Sequence, residues 1–161
     1  KKIIFCEGPE VINNPYFNNL NLKPTKGEIL TIYSKNLNIK EIIHSEFLFV
    51  PLGKNYYSIG ATYDWKNINT LSTSEAKHKI ISMLDNLLTC SYDIVNQKAG
   101  IRPSTSDRRA LIGNHSQYSN LYILNGLGTR GVLSAPYLSK CLAENIYYSL
   151  PISDEINVNR L

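Results

Sequence analysis

The stretch from Leu121 to Ile146, LYILNGLGTRGVLSAPYLSKCLAENI, constrains the fold more than any other part of this chain. A short apolar run, which predicts a strand, ends in glycines at positions 126, 128 and 131, and a helical pattern follows. A strand that passes through glycines into a helix directs backbone N–H groups and the positive helix end towards one point. Arg130 adds a cation within the turn. The residues alone therefore predict a site for a phosphate, a carboxylate or an electron-rich ring.

The composition fits one domain or two small ones. The chain has 161 residues, 43% of them apolar, and a formal net charge of +4 from basic residues that are scattered along the sequence. Its three cysteines are far apart and odd in number, so we expect neither a disulfide framework nor a metal site. We see no apolar run that would span a bilayer and no secretory pattern. These features predict a cytoplasmic protein that does not associate with membranes.

The first half of the chain shows mainly strand patterns. Residues 1–6 are mostly apolar, as in a strand covered on both faces, and the chain opens within this strand without a methionine, which indicates an excised fragment. Further strands are predicted across residues 29–33, 47–51 and 56–61, with a hairpin turn at residues 53–55. The middle of the chain is therefore expected to form an antiparallel sheet.

Two stretches have helical spacing. Apolar residues recur every three or four positions between Ser72 and Leu88, and Ser72 and Glu75 have the spacing of a capping box. A second helix is predicted after the glycines, with Pro136 in its first turn. An antiparallel sheet with one helix, followed by a strand, a glycine turn and a second helix, predicts the α+β class.

A second candidate for chemistry precedes the glycine turn in the sequence. A predicted strand at residues 92–99 leads to Gly100–Asp107, GIRPSTSD. Pro103 fixes its own backbone and favours an extended Arg102, so the guanidinium is carried on a stiff segment. The segment KGE at residues 26–28 is a third candidate. Each of these features, taken singly, is more often a matter of packing or of surface charge.

Taken together and in this order, four segments resemble the C-terminal half of the FAD-dependent oxidoreductases of the D-amino-acid oxidase and glycine oxidase superfamily. They are KGEIL at 26–30, FVPLGKNYYSIGATYDW at 49–65, AGIRPSTSDRRALIG at 99–113 and the stretch at 121–146. The motif GLGTRG is most similar to the corresponding motif in the oxidase half of the bifunctional enzymes that complete methylaminomethyl-uridine modification in tRNA.

The resemblance implies a domain organisation. Residues 1–19 would end a strand of the FAD domain and leave it, residues 20–97 would form a substrate domain, and residues 98–161 would return to the FAD domain. In such enzymes the dinucleotide fingerprint GxGxxG, which holds the adenosine and pyrophosphate, follows the first strand of the chain. No such pattern follows the first predicted strand here, at residues 1–6. We therefore expect this stretch alone to be inactive and to hold FAD weakly.

The resemblance also implies roles for particular residues. Arg102 would bind a substrate carboxylate, Arg130 would serve either the flavin or the substrate, and Tyr56 would line the substrate site. The flavin ring and ribityl chain would be wrapped by Gly126, Leu127, Gly128, Thr129, Arg130, Gly131 and Val132. The family reaction oxidises the C–N bond of an amino acid or other amine by hydride transfer to the flavin, and it requires no general base if the amine binds neutral. No catalytic acid or base is therefore assigned.

Two other functions remain open at this stage. The first is a tRNA-modifying oxidase that acts on carboxymethylaminomethyl-uridine. The second is a module without catalytic activity that binds an acidic ligand or partner. Trp65, the only tryptophan, has two equal uses, stacking on a base or covering a loop. Asp107–Arg109 is a candidate phosphate-binding segment, and a solvated ion-pair cluster is the commoner outcome for such a sequence.

Overall fold

The computed structural model of the protein describes residues 1–160 and divides them into two compact units. One unit contains residues 1–25 and 102–160, and the other contains residues 26–101. The predicted α+β class is confirmed, because both units combine strands with a single long helix. Within residues 1–160, no helix combines the length and the apolar character that crossing a membrane requires.

The unit of residues 26–101 is built on a five-stranded sheet in the order β3-β4-β5-β2-β6. Neighbouring strands pair antiparallel along β3, β4, β5 and β2. The turn between β4 and β5 places Lys54 and Asn55 at positive φ, as a tight hairpin requires. The strands are β2 Thr25–Tyr33, β3 Ile43–His44, β4 Leu48–Gly53, β5 Tyr56–Gly60 and β6 Asp93–Arg102. The predicted antiparallel sheet is thus confirmed, and β3 is an addition too short to show a sequence pattern.

Helix α1, Ser74–Leu87, covers one face of this sheet. Its buried positions are Ile80, Met83 and Leu84, which pack against Leu30 and Ile32 of β2. Helical spacing identified this face because it brings residues three and four apart to the same side of the helix.

The predicted capping box at the start of α1 is wrong. The N-cap is Thr73, whose side chain accepts a hydrogen bond from the N–H of Ala76, and Ser72 makes no capping bond. Thr73 takes this place because its hydroxyl and its own N–H both donate to the carboxylate of Glu28, at 2.8 Å each. The buried carboxylate of Glu28, on strand β2, therefore decides where helix α1 begins.

The other unit contains a three-stranded sheet in the order β1-β8-β7. Strand β8, Leu121–Asn125, pairs parallel with β1, Ile3–Phe5, and antiparallel with β7, Leu111–Asn114. One face of β8 packs in a cluster around Val11 and Phe17, and the other face packs against α2. The prediction that β1 is covered on both faces is wrong, because Ile3 and Ile4 of this edge strand are about half exposed.

Helix α2, Gly131–Tyr148, follows the glycine turn directly. Leu138 and Leu142 are buried against the sheet, and Ile146 packs at its margin, as their four-residue spacing predicted. Pro136, however, lies in the helix interior and not in the first turn, because the helix already begins at Gly131. The proline ring therefore faces the carbonyl of residue 132, where helices normally form a hydrogen bond.

Candidate functional site

The glycine turn contains two residues whose backbone conformation favours glycine. Gly126 has φ +72° and Gly128 has φ +53°, a region in which a Cβ atom is strained. A Cβ on Gly126 would also lie 2.9 Å from the methyl group of Thr105 and 3.2 Å from the nitrogen of Leu111. Gly126 is therefore needed both for the turn and for the close approach of the chain that precedes β7.

Two other features of the glycine turn bear on ligand binding: the start of α2 at Gly131 and the main-chain N–H groups of the turn. Gly131 has ordinary helical φ and begins α2, and a Cβ there would lie in ordinary contact with the side chain of Leu127, at 3.5 Å. The N–H of Gly126 is bonded to the side chain of Asn125, whereas those of Leu127 and Thr129 have no acceptor within residues 1–160. Two main-chain donors of the turn are thus available to a ligand.

The two motifs that the sequence separates meet in the structure. The N–H of Gly128 donates to the carbonyl of Pro103 at 3.2 Å, and Ser104 Oγ lies 3.5 Å from the position of a Cβ on Gly128. Thr105 lies against Gly126, and its hydroxyl donates to the carbonyl of Arg109 at 2.7 Å. The segment that carries Arg102 is therefore held directly against the glycine turn.

Arg130 and Arg102 differ in their surroundings. Arg130 is exposed, and its guanidinium forms no ion pair or hydrogen bond with the part of the chain that the structure describes. Arg102 is the last residue of β6 and is partly buried. Val132, at the start of α2, is 98% exposed, which is unusual for a valine in a helix that follows a buried strand. The predicted roles of these residues in ligand binding stay predictions.

Tyr56 belongs to the other compact unit. It lies at the start of β5, is 39% exposed, and its ring stands 5.2 Å from that of Tyr33. The next residue, Tyr57, points to the opposite face, is buried, and donates a hydrogen bond to the carbonyl of Leu37. Alternation along the strand therefore leaves Tyr56 as the accessible tyrosine of the pair.

The KGE segment forms a buried ion pair. Lys26 and Glu28 are two residues apart on β2, so their side chains lie on the same face of the strand. Both side chains are almost fully buried, and Nζ of Lys26 lies 3.3 Å from Oε1 of Glu28. Burial acts to raise the pKa of the Glu28 carboxyl, but hydrogen bonds from Thr73, Gln97 and Lys26 together lower it. The ammonium group of Lys26 also donates to Asn69 Oδ1 at 3.2 Å and to the carbonyl of Leu71 at 2.5 Å. This segment is thus a structural element and not an open binding site.

The charged residues after GIRPST are taken up by ion pairs. Asp107 accepts three hydrogen bonds from the guanidinium of Arg160, at 3.0, 3.1 and 3.3 Å, and Nη1 of Arg109 lies 3.4 Å from Oε1 of Glu155. Burial acts to raise the pKa of Asp107, but hydrogen bonds from Arg109 and Arg160 lower it. Within residues 1–160 no cluster of histidine, cysteine or acidic side chains has the geometry of a metal site, and all three cysteines are free.

Asn125 is a residue of this site that sequence reasoning missed. It is buried, its amide nitrogen donates to the carbonyl of Gly8 at 2.8 Å, and its oxygen accepts from Gly126. It thus ties the end of β1 to the glycine turn. In the sequence, Asn125 is only a polar residue at the end of an apolar run. The same pattern is typical of an ordinary loop that follows a strand, so it did not single out Asn125.

Comparison with known proteins decides the family. The sequence profile of the family described as FAD dependent oxidoreductase matches residues 1–145. The chain belongs to this family. FAD is accordingly the cofactor of the proteins to which it is related, and the resemblance read from its motifs is confirmed.

Two curated relatives show the range of functions around this sequence. A tRNA 5-methylaminomethyl-2-thiouridine biosynthesis bifunctional protein of Actinobacillus pleuropneumoniae is 27% identical over 172 residues, covering 84% of this chain and 26% of the relative. A glycine oxidase of Bacillus licheniformis is 28% identical over 128 residues, covering 76% of this chain and 34% of the relative. The chain thus spans between a quarter and about a third of the length of these two relatives.

Solved structures agree on the fold. An iminodiacetate oxidase from a Chelativorans species superposes with a TM-score of 0.84 at 18% identity, covering 96% of this chain and 45% of that one. A glycine oxidase from Bacillus cereus gives a TM-score of 0.78 at 22% identity, covering 93% and 43%. In both cases the similarity is one of fold, and it involves slightly less than half of the solved chain.

The residues of the glycine turn fit the cofactor of this family. A flavin presents carbonyl oxygens and a ring that gains negative charge on reduction, and the turn offers two available N–H donors, the N-terminus of α2 and the exposed Arg130. The exposed side chain of Val132 adds an apolar surface beside the turn, as a flat ring requires.

Proposed function

We propose that this chain is part of an FAD-dependent oxidoreductase that oxidises the C–N bond of an amino acid or secondary amine. The observation that carries the proposal is the hydrogen bond between Gly128 and Pro103, because it joins the available donors of the glycine turn to the segment of Arg102. The similarity to a glycine oxidase supports an amino acid as the substrate. Family membership also favours an enzyme over a binding module without catalytic activity.

Each part of this arrangement would have a separate task. FAD, when bound, would supply the redox chemistry as the two-electron acceptor for the carbon that bears the amine, and water would hydrolyse the imine so formed. Arg102 would hold the substrate carboxylate through two charge-assisted hydrogen bonds and so fix the orientation of that carbon. The residues from Gly126 to Val132 would hold the flavin, and Arg130 would place positive charge beside it or beside the substrate.

The two compact units would correspond to the two domains of such an enzyme. Under this proposal, residues 1–19 and 98–161 belong to the FAD domain and residues 20–97 form the substrate domain, which includes Tyr56. The compact units divide at residues 25/26 and 101/102, a few residues later at each boundary.

The test is a substitution of Arg102 in the full-length flavoprotein that carries this chain. Arg102→Ala is expected to raise the apparent KM for an amino acid at least tenfold, because a charge-assisted hydrogen bond contributes about 1.5–3 kcal/mol. The flavin should stay bound, and Arg102→Lys should recover only part of the affinity since it lacks the bidentate geometry. Arg109→Ala, which removes an exposed ion pair, is the control. Loss of flavin with an unchanged KM would reverse the assignment of Arg102.

A second candidate function, a tRNA-modifying oxidase, is favoured by the similarity to tRNA 5-methylaminomethyl-2-thiouridine biosynthesis proteins. The chemistry at the carbon would be the same, with a carboxymethylaminomethyl group of a uridine as the amine. This candidate predicts that the full-length protein binds tRNA with an affinity that falls steeply as salt is raised. Absence of tRNA binding at low salt would exclude it.

A further inference from the structure

An exposed pair of stacked aromatic rings lies in the unit of residues 26–101. The rings of Tyr63 and Trp65 are 5.8 Å apart between centroids and only 20° from parallel. They are 54% and 67% exposed, respectively. The two residues flank Asp64, whose backbone pairs with Lys26 of β2, and their rings lie side by side. We call Tyr63 and Trp65 the aromatic platform.

The backbone beneath the aromatic platform is fixed by strand pairing. Asp64 forms an isolated antiparallel bridge with Lys26, with main-chain hydrogen bonds of 2.9 and 3.0 Å in both directions. One pair further along, Thr62 donates its N–H to the carbonyl of Glu28 at 3.1 Å and accepts from the N–H of Glu28 at 2.9 Å through its hydroxyl. The segment that carries the aromatic platform therefore continues β5 alongside β2 and is not a loose loop.

The chain after the platform is held equally firmly. The carboxylate of Asp64 accepts hydrogen bonds from the N–H groups of Lys66 at 2.7 Å and Asn67 at 3.1 Å, and from the Asn67 side chain at 2.9 Å. The buried Lys26 then binds Asn69 and the carbonyl of Leu71. Two exposed rings are thus pre-organised on a rigid support, which lowers the entropic cost of stacking a third ring on them.

The chemistry of this surface points to one class of ligand. Exposed, parallel aromatic faces on a rigid element are the means by which proteins bind unpaired bases, because every base has a flat face that stacks on them. Lys66 places an exposed ammonium group next to Trp65, which suits the phosphate that adjoins a stacked base. A small amino acid, by contrast, has no ring that would require a stacked pair.

We propose that the aromatic platform binds an unpaired base of RNA, with Lys66 near the adjoining phosphate. This inference rests on the second candidate function, that of a tRNA-modifying oxidase, and it names the surface through which such a protein would hold its substrate. A protein partner that covers Tyr63 and Trp65 is the alternative, and the test below separates the two.

The test measures the affinity of the FAD-loaded, full-length protein for a short labelled oligouridine by fluorescence anisotropy at low salt. Trp65→Ala and Tyr63→Ala are each expected to weaken binding by roughly 5- to 150-fold, the range found for loss of one base–aromatic stack. Trp65→Phe should retain most of the affinity, because phenylalanine keeps a ring face. An abasic oligomer of equal length should bind the wild type weakly, since it keeps the phosphates and lacks the bases.

Tyr147→Ala is the matched control, since Tyr147 is 80% exposed on α2 and should leave RNA affinity unchanged. Circular dichroism checks the fold of each variant. If RNA binds with equal affinity to wild type and to both platform variants, the inference is overturned while the tRNA candidate stands, and a protein partner becomes the better reading of the surface. If the wild type binds no oligouridine at low salt, the inference is overturned, and binding of tRNA then tests the tRNA candidate separately. The proposal of amine oxidation is tested separately, by flavin reduction with free amines.

Discussion

At the scale of single residues, the buried pair of Lys26 and Glu28 shows how a charged motif is used for structure. Both side chains lie on the face of β2 that continues into the apolar residues Leu30 and Ile32. A charge at such a position is tolerated only when a partner and hydrogen bonds replace the lost hydration. Here the two charges satisfy each other and also bind the start of α1 and the segment after the aromatic platform.

Glu28→Gln is expected to lower the free energy of unfolding by about 3–5 kcal/mol at neutral pH, because it removes the buried carboxylate that pairs with the Lys26 ammonium. The pKa of Glu28 is lowered in the folded state from its ordinary value of 4.5. The stabilisation is therefore complete above that value and is lost as the pH falls through the lowered folded pKa. The difference between wild type and variant in urea unfolding should accordingly shrink at acid pH.

The control for this experiment is Glu46→Gln. Glu46 lies 3.7 Å from Lys79 in an exposed pair, which should contribute less than about 1 kcal/mol. Asp64 and Asp107 also have lowered pKa values, so some acid sensitivity will remain in every variant. A Glu28→Gln protein as stable as the Glu46→Gln protein would mean that Lys26 is not held by charge pairing.

At the scale of elements, helix α1 and the glycine turn each depend on one position that the sequence pattern alone does not single out. Ser72 and Thr73 are both good N-cap residues, and only the buried carboxylate of Glu28 selects Thr73. The three glycines of the turn look equivalent in the sequence, yet only Gly126 combines positive φ with a tight contact.

Thr73→Ala is expected to destabilise the protein by about 1–2 kcal/mol, because it removes both the helix cap and a hydrogen bond to Glu28. Ser72→Ala, one residue earlier and exposed, should change stability by less than about 0.5 kcal/mol. Chemical unfolding of the two variants under the same conditions makes the comparison. Equal losses for both variants would argue against Thr73 as the N-cap.

Gly126→Ala is expected to cost about 2–4 kcal/mol, since positive φ costs about 1–2 kcal/mol for a residue with a Cβ and the contact with Thr105 adds overpacking. Gly100→Ala is the matched control, because that strand position has no positive φ and no atom within 4 Å of an added Cβ. Thermal unfolding of the two variants checks the prediction. A Gly126→Ala protein no less stable than Gly100→Ala would show that the turn does not need glycine there.

At the scale of the whole molecule, the strands and helices followed from local patterns, whereas their partners did not. Periodicity identified β2, β4, β5 and α1 because residues two or three to four apart share a face. The exposure of Ile3 and the interior position of Pro136 depend on strand order and on the exact start of α2, which no local pattern fixes. The hydrogen bond between Gly128 and Pro103 joins residues far apart in sequence, and only the folded chain brings them together.

The roles of site residues came from the family resemblance and not from periodicity. Arg102 and Arg130 are ordinary arginines by composition, and their proposed tasks depend on the motifs around them. Asn125, by contrast, was not predicted, because its contacts with Gly8 and Gly126 are made only in the tertiary fold. The aromatic platform became visible through the parallel geometry and exposure of Tyr63 and Trp65.

The most direct test of the proposed function is anaerobic reduction of the flavin in the full-length protein. The flavin absorbance should bleach on addition of glycine, sarcosine or another amine that carries a carboxylate, because hydride transfer from the C–N carbon leaves the reduced ring without an acceptor. Arg102→Ala should require a much higher concentration of the same amine for the same rate. A flavin that stays fully oxidised with every amine of such a panel, free or attached to uridine, would contradict the assignment.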